Sequence, residues 1–429
     1  MKKITVIGIA ICMAFMLITP AMATTDIEMT GYYRVHGYSS DNLSLLPNGT
    51  SSSFFTDKLR VQTVLKINDN LKVVTRFDAF DNRVWGTPDE SQVLGDKVNI
   101  DWDRAYMEMI TKIGFFRIGR QKGNAWGTSF ADQETDRDRI LYAVPLDNLI
   151  LAFVYEKMTE TDAGTTVNDA DFDRFYLTAT YKAENYTAGL LTAFLRINDQ
   201  PITSTILMAG PVDIDLYEIA PYIIGKFGPI SIEAELLYGF GTAQRDGAAD
   251  SDVKMWGFYG EGGYDFGPFG LQAGVALGSG DNDGFGPGSD IESALLLQDS
   301  GDWDKLFLLS DKDGGVLGGF NHHIMLGPNT GNFQVLFAQI AGFEIFYLSG
   351  YFAATDNITI EGIIAQVNLM DPMAAMNDDF GMEYDISLTW NIYKNLKYKA
   401  VVAVFEPGDY FGATADSNTT FFNELELSF

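Results

Sequence analysis

The chain has 429 residues, and its 58 acidic against 29 basic residues give a formal net charge of −29. So acidic a chain excludes nucleic acid as a partner, because contacts to phosphates need a basic surface. The only cysteine is Cys12, so neither a disulfide within the chain nor a site of several thiolates is available.

The N-terminus has the layout of a secretory signal. Lys2 and Lys3 precede an apolar run over residues 4–18, and Ala21-Met22-Ala23 supplies a cleavage site of small-residue type. The pattern predicts a signal peptide over residues 1–23 and a mature chain over residues 24–429. The apolar run is shorter than the roughly 20 residues that a membrane-spanning helix needs, and no later run reaches that length.

The mature chain repeats segments of about ten residues in which apolar side chains alternate with polar or small ones. The clearest example covers residues 380–391. Its apolar face consists of Phe380, Met382, Tyr384, Ile386, Leu388 and Trp390, and its polar face includes Gly381, Glu383, Asp385, Ser387, Thr389 and Asn391. In a soluble sandwich the apolar face would be the core. In a membrane barrel it faces lipid, and the acidic face lines a wet lumen.

Counting such segments predicts an all-β, antiparallel transmembrane barrel of about 18 strands, with 16 possible because the sixth and thirteenth segments are weak. The predicted strands are 28–38, 57–67, 71–81, 98–110, 115–122, 136–144, 149–158, 172–182, 186–196, 213–226, 230–242, 254–265, 270–279, 343–353, 358–369, 380–391, 396–405 and 418–429. An even number returns both termini to the periplasm, and at this size the barrel leaves an aqueous channel unless a loop fills it.

The connections and strand ends favour the barrel over a soluble sandwich. Tight turns such as Gly228-Pro229 alternate with long acidic loops, as expected for periplasmic turns and external loops. Aromatic residues near the first strand ends are expected to form interface girdles. These residues are Tyr32, Tyr33, Tyr38, Phe54 and Phe55.

The chain ends on Phe429, in an alternating strand with Leu425 and Leu427 on its apolar side. A terminal aromatic of this kind resembles the signal read by the barrel assembly machinery. We therefore expect a protein of the cell outer membrane, with lipid, lipopolysaccharide and that machinery as partners.

Alternation also predicts which charged side chains point into the lumen. The expected pore-lining residues are Arg34, Arg60, Arg76, Asp78, Arg104, Glu108, Arg117, Arg120, Arg137, Arg139, Glu383 and Asp385. Opposed charges in a wet lumen set selectivity through the local field. The alternative interpretation is an ion-paired ladder that holds the barrel wall.

Strict alternation cannot place both Arg117 and Arg120 inside the barrel. Because an arginine on the lipid face near mid-membrane costs roughly 2–4 kcal/mol, we expect a β-bulge near Gly119 that turns both side chains inward.

The stretch over residues 280–342 is far too long for an ordinary loop. It contains apolar runs at 295–297 and 306–309, which favour burial. We expect part of this loop to fold into the lumen and occlude it partly, as opposed to forming a loose external cap.

The sequence predicts no metal site, no cofactor and no catalytic site. His322 and His323 are adjacent and would face opposite ways on an extended segment, so they are poorly placed to share an ion. Asp169, Asp171 and Asp173 could hold Ca²⁺, although solvated loop surface is the simpler interpretation. His36 is the only other histidine, and the motifs of serine hydrolases, zinc proteases and phosphate loops do not occur.

The order of several short motifs resembles the large outer-membrane porin family that includes the alginate-export porin. These motifs are Arg104-Ala105-Tyr106, Gly119-Arg120-Gln121 with Trp126-Gly127, Trp303-Asp304-Lys305-Leu306-Phe307, Gly381-Met382-Glu383-Tyr384-Asp385 and Phe405-Glu406-Pro407-Gly408. The resemblance implies a pore of about 18 strands with Arg120 and neighbouring arginines at a constriction. The chain departs from an alginate exporter, which needs a strongly basic lumen, in its inward acids Glu108, Glu218, Glu233, Glu235, Glu361, Glu383 and Asp385.

The expected function is passive diffusion of small hydrophilic solutes or ions through a charged constriction. A cation preference is expected because the external mouth is acidic. The alternative is a scaffold barrel that sheathes a partner such as a multihaem cytochrome, or that serves a polysaccharide export complex.

Overall fold

A computed structural model describes residues 26–86, 100–123, 125–130, 132, 135–160, 171–201, 211–245, 249–283, 289–293, 303–311, 341–372 and 376–429. Within these ranges it contains no helix long and apolar enough to cross a bilayer. His322, His323, Asp169 and the apolar run at 295–297 lie outside the described residues.

Eighteen strands run in chain order through the described residues. They are β1 (Asp26–Asp41), β2 (Ser52–Asn68), β3 (Leu71–Val84), β4 (Asp101–Thr111), β5 (Gly114–Gly123), β6 (Thr135–Leu146), β7 (Leu149–Glu160), β8 (Asp171–Lys182), β9 (Tyr186–Pro201), β10 (Pro211–Phe227), β11 (Ile230–Arg245), β12 (Ser251–Asp265), β13 (Phe269–Gly278), β14 (Phe343–Thr355), β15 (Ile358–Asn368), β16 (Asp379–Tyr393), β17 (Leu396–Pro407) and β18 (Asn418–Ser428).

Each strand pairs antiparallel with its neighbours in the chain, and β1 also pairs with β18, which closes the sheet. A closed barrel leaves no strand edge, which is the condition for a sheet to cross a bilayer. The prediction of about 18 strands is confirmed, and the 16-strand alternative is wrong because both weak segments form strands, β6 and β13.

The two faces of the barrel wall differ as alternation predicts. Large apolar side chains such as Phe153, Leu177 and Ile386 are exposed on the outer face, whereas Val154 and Glu156, which alternate with Phe153 along β7, are buried inside. Since a lipid-facing surface is apolar, the exposed residues form the expected outer band.

A row of aromatic rings, the aromatic rung, crosses the outer face of β7 to β11. It consists of Tyr155, Phe175, Phe194, Tyr217 and Phe240, whose successive ring centroids are 5.2, 6.3, 5.0 and 5.6 Å apart. Aromatic rows of this kind mark the boundary between lipid and water.

The expected girdle near β1 is correct only in part. Tyr33 and Phe55 are exposed, but Tyr38 is buried and stacks on Phe54 at 4.9 Å inside the barrel. Tyr38 is two residues from the inward His36, so alternation puts both on the same side.

Phe380 also departs from the expected pattern, because it is fully buried and not lipid-facing. Val367 pairs with Gly381 and Asn368 with Asp379, so Phe380 is an extra residue in β16. Gly381 adopts φ +137°, which glycine accepts readily. This bulge turns the Phe380 ring to within 5.9 Å of the Phe405 ring and 4.9 Å of the Phe411 ring.

The seam of the barrel, where β1 pairs with β18, ends in a reciprocal pair of backbone hydrogen bonds. Gly31 N donates to Phe429 O and Phe429 N donates to Gly31 O, both at 2.9 Å. A Cβ on Gly31 would lie 2.1 Å from the Arg60 carbonyl oxygen on β2 and 2.8 Å from the Phe429 ring, so both the neighbouring backbone and the terminal aromatic pack directly over this glycine.

The variant Gly31→Ala should destabilise the barrel by about 1–3 kcal/mol, since the added methyl group would overlap the Arg60 carbonyl oxygen on β2 and the Phe429 ring. The measurement is unfolding in urea, followed by the shift between folded and unfolded mobility on a gel. Gly262→Ala is the matched control, because a Cβ there meets nothing within 4 Å. Equal losses in the two variants would contradict the close packing assigned to Gly31.

Candidate functional site in the barrel lumen

Strand pairing identifies the inward face at the seam. His36 pairs with Glu424, and its Nε2 lies 3.0 Å from the Glu424 carboxylate while its Nδ1 lies 3.0 Å from the Tyr38 hydroxyl. Both His36 and Glu424 are buried. Directly opposed residues point to the same side of a sheet. The buried His36 and Glu424 therefore identify which side chains of the paired strands face the lumen.

The inward charges of β2, β3 and β4 form one connected ladder with Asp136 at the start of β6. Arg60 contacts Asp78 through Nε and a terminal nitrogen, at 2.7 and 2.6 Å. Arg76 contacts Asp103 at 3.0 Å and Asp136 at 2.6 Å. Arg104 reaches the same Asp136 at 2.5 Å.

Asp103 joins this ladder because of an irregularity in β4. Arg76 pairs with Arg104 and Phe77 with Trp102, so Asp103 is an extra residue between them. The extra residue brings a second carboxylate to the arginine-rich face, where Arg60 and Arg76 both contact it.

Two further ion-pair groups continue the ladder along the wall. Glu108 accepts from Arg117 Nε at 2.8 Å and also contacts Lys72. Arg139 and Arg174 lie 3.6 and 4.0 Å from the fully buried Glu156 carboxylate. The structure thus brings together Arg60, Arg76, Asp78, Arg104, Glu108, Arg117 and Arg139 of the sequence-predicted residues, in the geometry of an ion-paired wall.

Arg34 and Arg137 occupy the same inward face by register. Arg34 pairs with Glu426 on β18 and with Lys58 on β2, two residues from the inward His36. Arg137 pairs with Gln121, which is buried and donates to Arg139 O at 3.1 Å.

Arg120 does not line the lumen, and the expected bulge near Gly119 is absent. Pairing runs without a register shift from Arg117 through Gly119 to both neighbouring strands. Arg120 therefore shares the outer face with Ala105 and Asp138, and its guanidinium lies 3.5 Å from the Asp138 carboxylate. This outward ion pair, near the upper end of a short strand, is the physical reason that no bulge is needed.

A loop between β5 and β6 folds into the lumen. Trp126 Nε1 donates to Ala220 O at 3.1 Å, and Thr128 donates to Glu235 through its backbone N and its Oγ1, at 2.9 and 2.6 Å. Gly127 between them has φ +73°, and a Cβ there would lie 1.8 Å from the Glu235 carboxylate. Glycine is therefore required for this close approach.

A second segment, over residues 303–311, also lies against the inner wall. Phe307 N donates to Asp385 at 2.9 Å, and Leu308 N donates to Glu383 at 2.6 Å. Lys305 Nζ lies 2.7 Å from the Glu261 carboxylate on β12. Glu383 and Asp385 thus face inward, and they hold the backbone of this loop.

The two loops meet in an aromatic cluster inside the barrel. The Phe130 ring lies 6.3 Å from Trp303, 5.6 Å from Tyr259 and 6.3 Å from Phe343, and Trp303 lies 6.1 Å from Tyr347. Phe130, Tyr259 and Trp303 are nearly fully buried. Sequence reasoning missed the Trp126–Phe130 segment, although two large aromatic residues in a short loop were a usable signal for burial.

A cavity of about 480 Å³ remains beside the first loop. Its lining residues include Arg139, Arg174, Glu218 and Tyr222 of the wall and Trp126 of the loop. Its volume falls in the range of small-molecule sites, and its lining offers both charges and aromatic faces.

A second, smaller cavity of about 220 Å³ adjoins the segment over residues 303–311. Lys305, Asp385, Lys399 and Glu361 are among its lining residues. Within the described ranges, no group of three or more His, Cys, Asp or Glu residues is placed to hold a metal ion. Asp171 and Asp173 instead flank Lys157 Nζ, at 2.9 and 3.3 Å.

Comparison with known proteins shows what the fold resembles. No family model and no curated protein matches the sequence. Among solved structures, the BenF-like porin from Pseudomonas fluorescens Pf-5 has a TM-score of 0.57 and 10% identity, covering 94% of this chain and 99% of that one. OccK8 (OprE) from Pseudomonas aeruginosa has a TM-score of 0.55 and 12% identity, covering 94% and 98%.

OccAB1 from Acinetobacter baumannii gives a third match of the same kind, with a TM-score of 0.55, 10% identity and coverage of 95% and 98%. The specific resemblance to alginate-export porins stays a prediction. Since the likeness extends over nearly the whole length of each of these chains, the protein has the fold of Gram-negative outer-membrane porins.

Proposed function

We propose that this protein is a passive diffusion channel of the outer membrane, which admits small hydrophilic solutes or ions through a narrowed, charged lumen. The observation that carries the proposal is the cavity of about 480 Å³ that stays open within the closed barrel, lined by Arg139, Arg174 and Glu218. A lumen lined by opposed charges selects solutes through its local field. The role needs no catalytic step and no cofactor.

The constriction is formed by the two inward loops. Trp126 and Thr128 fasten one loop to β10 and β11, and Phe307 and Leu308 fasten the other to β16. Because the loops contact each other through Phe130 and Trp303, they narrow the lumen together. Residues 303–311, within the long segment between β13 and β14, provide the second of the two loops, and in this proposal they narrow the lumen in part.

The barrel is oriented with both termini in the periplasm after removal of residues 1–23. Short turns such as Asp69-Asn70 lie at the barrel end where β1 begins and β18 finishes. Short turns are periplasmic in bacterial barrels, and long loops are external. Phe429 at this end is the residue that the barrel assembly machinery reads, and lipid with lipopolysaccharide surrounds the outer face.

Purified protein in a planar lipid bilayer should give discrete current steps. The chain's acidic external loops raise the local cation concentration, so the reversal potential in a salt gradient should show a cation preference. A barrel that stays silent at every voltage would contradict the channel and favour the scaffold alternative. An anion preference would leave the channel intact but overturn the role of the acidic mouth.

A further inference from the structure

Charge alternates in sign across six consecutive strands. Direct pairing connects Arg120 on β5 to Asp138, Asp138 to Lys157, Lys157 to Asp173, Asp173 to Arg196, and Arg196 to Asp215 on β10. We call these six residues the charged collar. Directly opposed residues in an antiparallel sheet point to the same side, so the charged collar occupies one face of the wall.

That face is the outer one. Arg120 and Asp138 have side chains that are 47% and 64% exposed, and Arg196 and Asp215 are exposed as well. On β7 to β10, each residue of the aromatic rung lies two residues away from the charged-collar residue of its strand, on the side of the short turns. These aromatic residues are Tyr155, Phe175, Phe194 and Tyr217. Since the aromatic rung marks the boundary between lipid and water, the charged collar lies at the level of the headgroups.

The strands tilt in a closed barrel, so the charged collar lies progressively further from the short-turn end from β5 to β10. Arg120 is its deepest member, because it lies nearer the short-turn end of its strand than the others do. A long arginine side chain can extend its guanidinium towards the interface from this depth.

We propose that the charged collar binds the phosphorylated glycolipid headgroups of the outer leaflet, that is, lipopolysaccharide. The inference rests on the proposed function, which places this end of the barrel outside the cell. Arginine and lysine form charge-assisted hydrogen bonds with phosphate, and aspartate provides oxygen ligands for the divalent cations that link phosphates to one another.

The equal number of cations and carboxylates identifies this ligand over a simple anionic phospholipid. Half of the charged collar would repel such a lipid, whereas a phosphate layer that contains divalent cations can use both signs. Lys157 already contacts three carboxylates, Asp171, Asp173 and Glu160, at 2.9, 3.3 and 3.1 Å. Adjacent strands are about 4.8 Å apart, so like charges recur roughly every 10 Å and several headgroups fit along six strands.

The test compares purified wild type with a triple variant, Arg120→Gln, Lys157→Gln and Arg196→Gln. Each is mixed with purified lipopolysaccharide and Mg²⁺, and the bound copies are counted by native mass spectrometry. We expect about tenfold weaker binding for the variant, because charge-assisted contacts to phosphate are lost. Lys226→Gln is the matched control, since Lys226 is 65% exposed and pairs with Asp265 at the opposite rim.

The carboxylates are tested separately with Asp138→Asn, Asp173→Asn and Asp215→Asn. Chelation of Mg²⁺ should release lipopolysaccharide from the wild type, and this variant should bind less of it before chelation. Arg196→Gln alone guards against misfolding, because Arg196 Nε donates to the neutral Asn198 side chain at 3.0 Å. This single variant should still lower the affinity measurably.

Wild-type binding by the folded triple and single variants would overturn the proposal, as would an equal loss in Lys226→Gln. Conductance of the same samples in bilayers of phospholipid alone separates this inference from the channel. If both proteins conduct and bind lipopolysaccharide equally, only the charged collar is refuted. If the wild type is silent while the variant loses lipopolysaccharide, only the channel is refuted.

Discussion

Replacing Glu383 and Asp385 together with alanine is expected to raise single-channel conductance by roughly twofold, because the lumen should widen when the segment over residues 303–311 leaves its inner wall. The two carboxylates accept the backbone N–H groups of Leu308 and Phe307 at 2.6 and 2.9 Å. A hydrogen bond to a charged group contributes about 1.5–3 kcal/mol. Loss of both should therefore release the segment over residues 303–311 from the wall. Step size in a planar bilayer is the measurement.

Glu361→Ala is the control for this experiment. Glu361 lines the same 220 Å³ cavity as Asp385, and its carboxylate is contacted at 3.5 Å by Ser387 of the wall and not by the loop backbone. Its removal takes one negative charge from the cavity but leaves the segment fastened. Equal conductance in wild type and double variant, or the same rise in Glu361→Ala, would contradict the fastening role.

Arg76→Ala should destabilise the barrel by about 3 kcal/mol, at the lower end of the cost of breaking a buried ion pair. The Arg76 side chain is 7% exposed and bridges Asp103 and Asp136, which would be left close together without it. Arg60 and Arg104 contact the same two aspartates, and they offset part of the loss. Equilibrium unfolding in urea, in vesicles free of lipopolysaccharide, gives the free energy.

Arg120→Ala also removes an arginine side chain, but from the outer face of the barrel wall. Its ion pair with Asp138 is long and exposed on both sides, so the expected cost is only about 0–1 kcal/mol. Similar losses in the two variants would show that the inward ladder contributes no more to stability than an exposed pair.

The strands could be predicted from the sequence because alternation with period two is a local property of each segment. Strand β16 illustrates both the success and its limit. Glu383 and Asp385 alternate with outward residues along this strand, but the bulge at Gly381 turns Phe380 to the opposite side from the one predicted. A bulge depends on the register of the partner strand, which one segment does not contain.

The lumen was less predictable than the wall. The error at Arg120 came from treating an outward arginine as unpaired, whereas Asp138 lies opposite it on a strand 18 residues later in the chain. The inward position of Trp126 and Phe130 depends on contacts with β10, β11 and β12, which lie far away in sequence. Such long-range contacts leave no periodic signal in a short loop.

The seam has a consequence for the order of events during biogenesis. His36 and Glu424, which contact each other across it, are 388 residues apart, and Gly31 bonds to the final residue of the chain. Closure therefore needs both ends of this span, and non-local contacts of this kind form slowly because a very long loop must close first. Before insertion into the membrane, the outer apolar face has no lipid to cover it. The unclosed polypeptide must accordingly be kept from aggregating throughout its passage to the membrane.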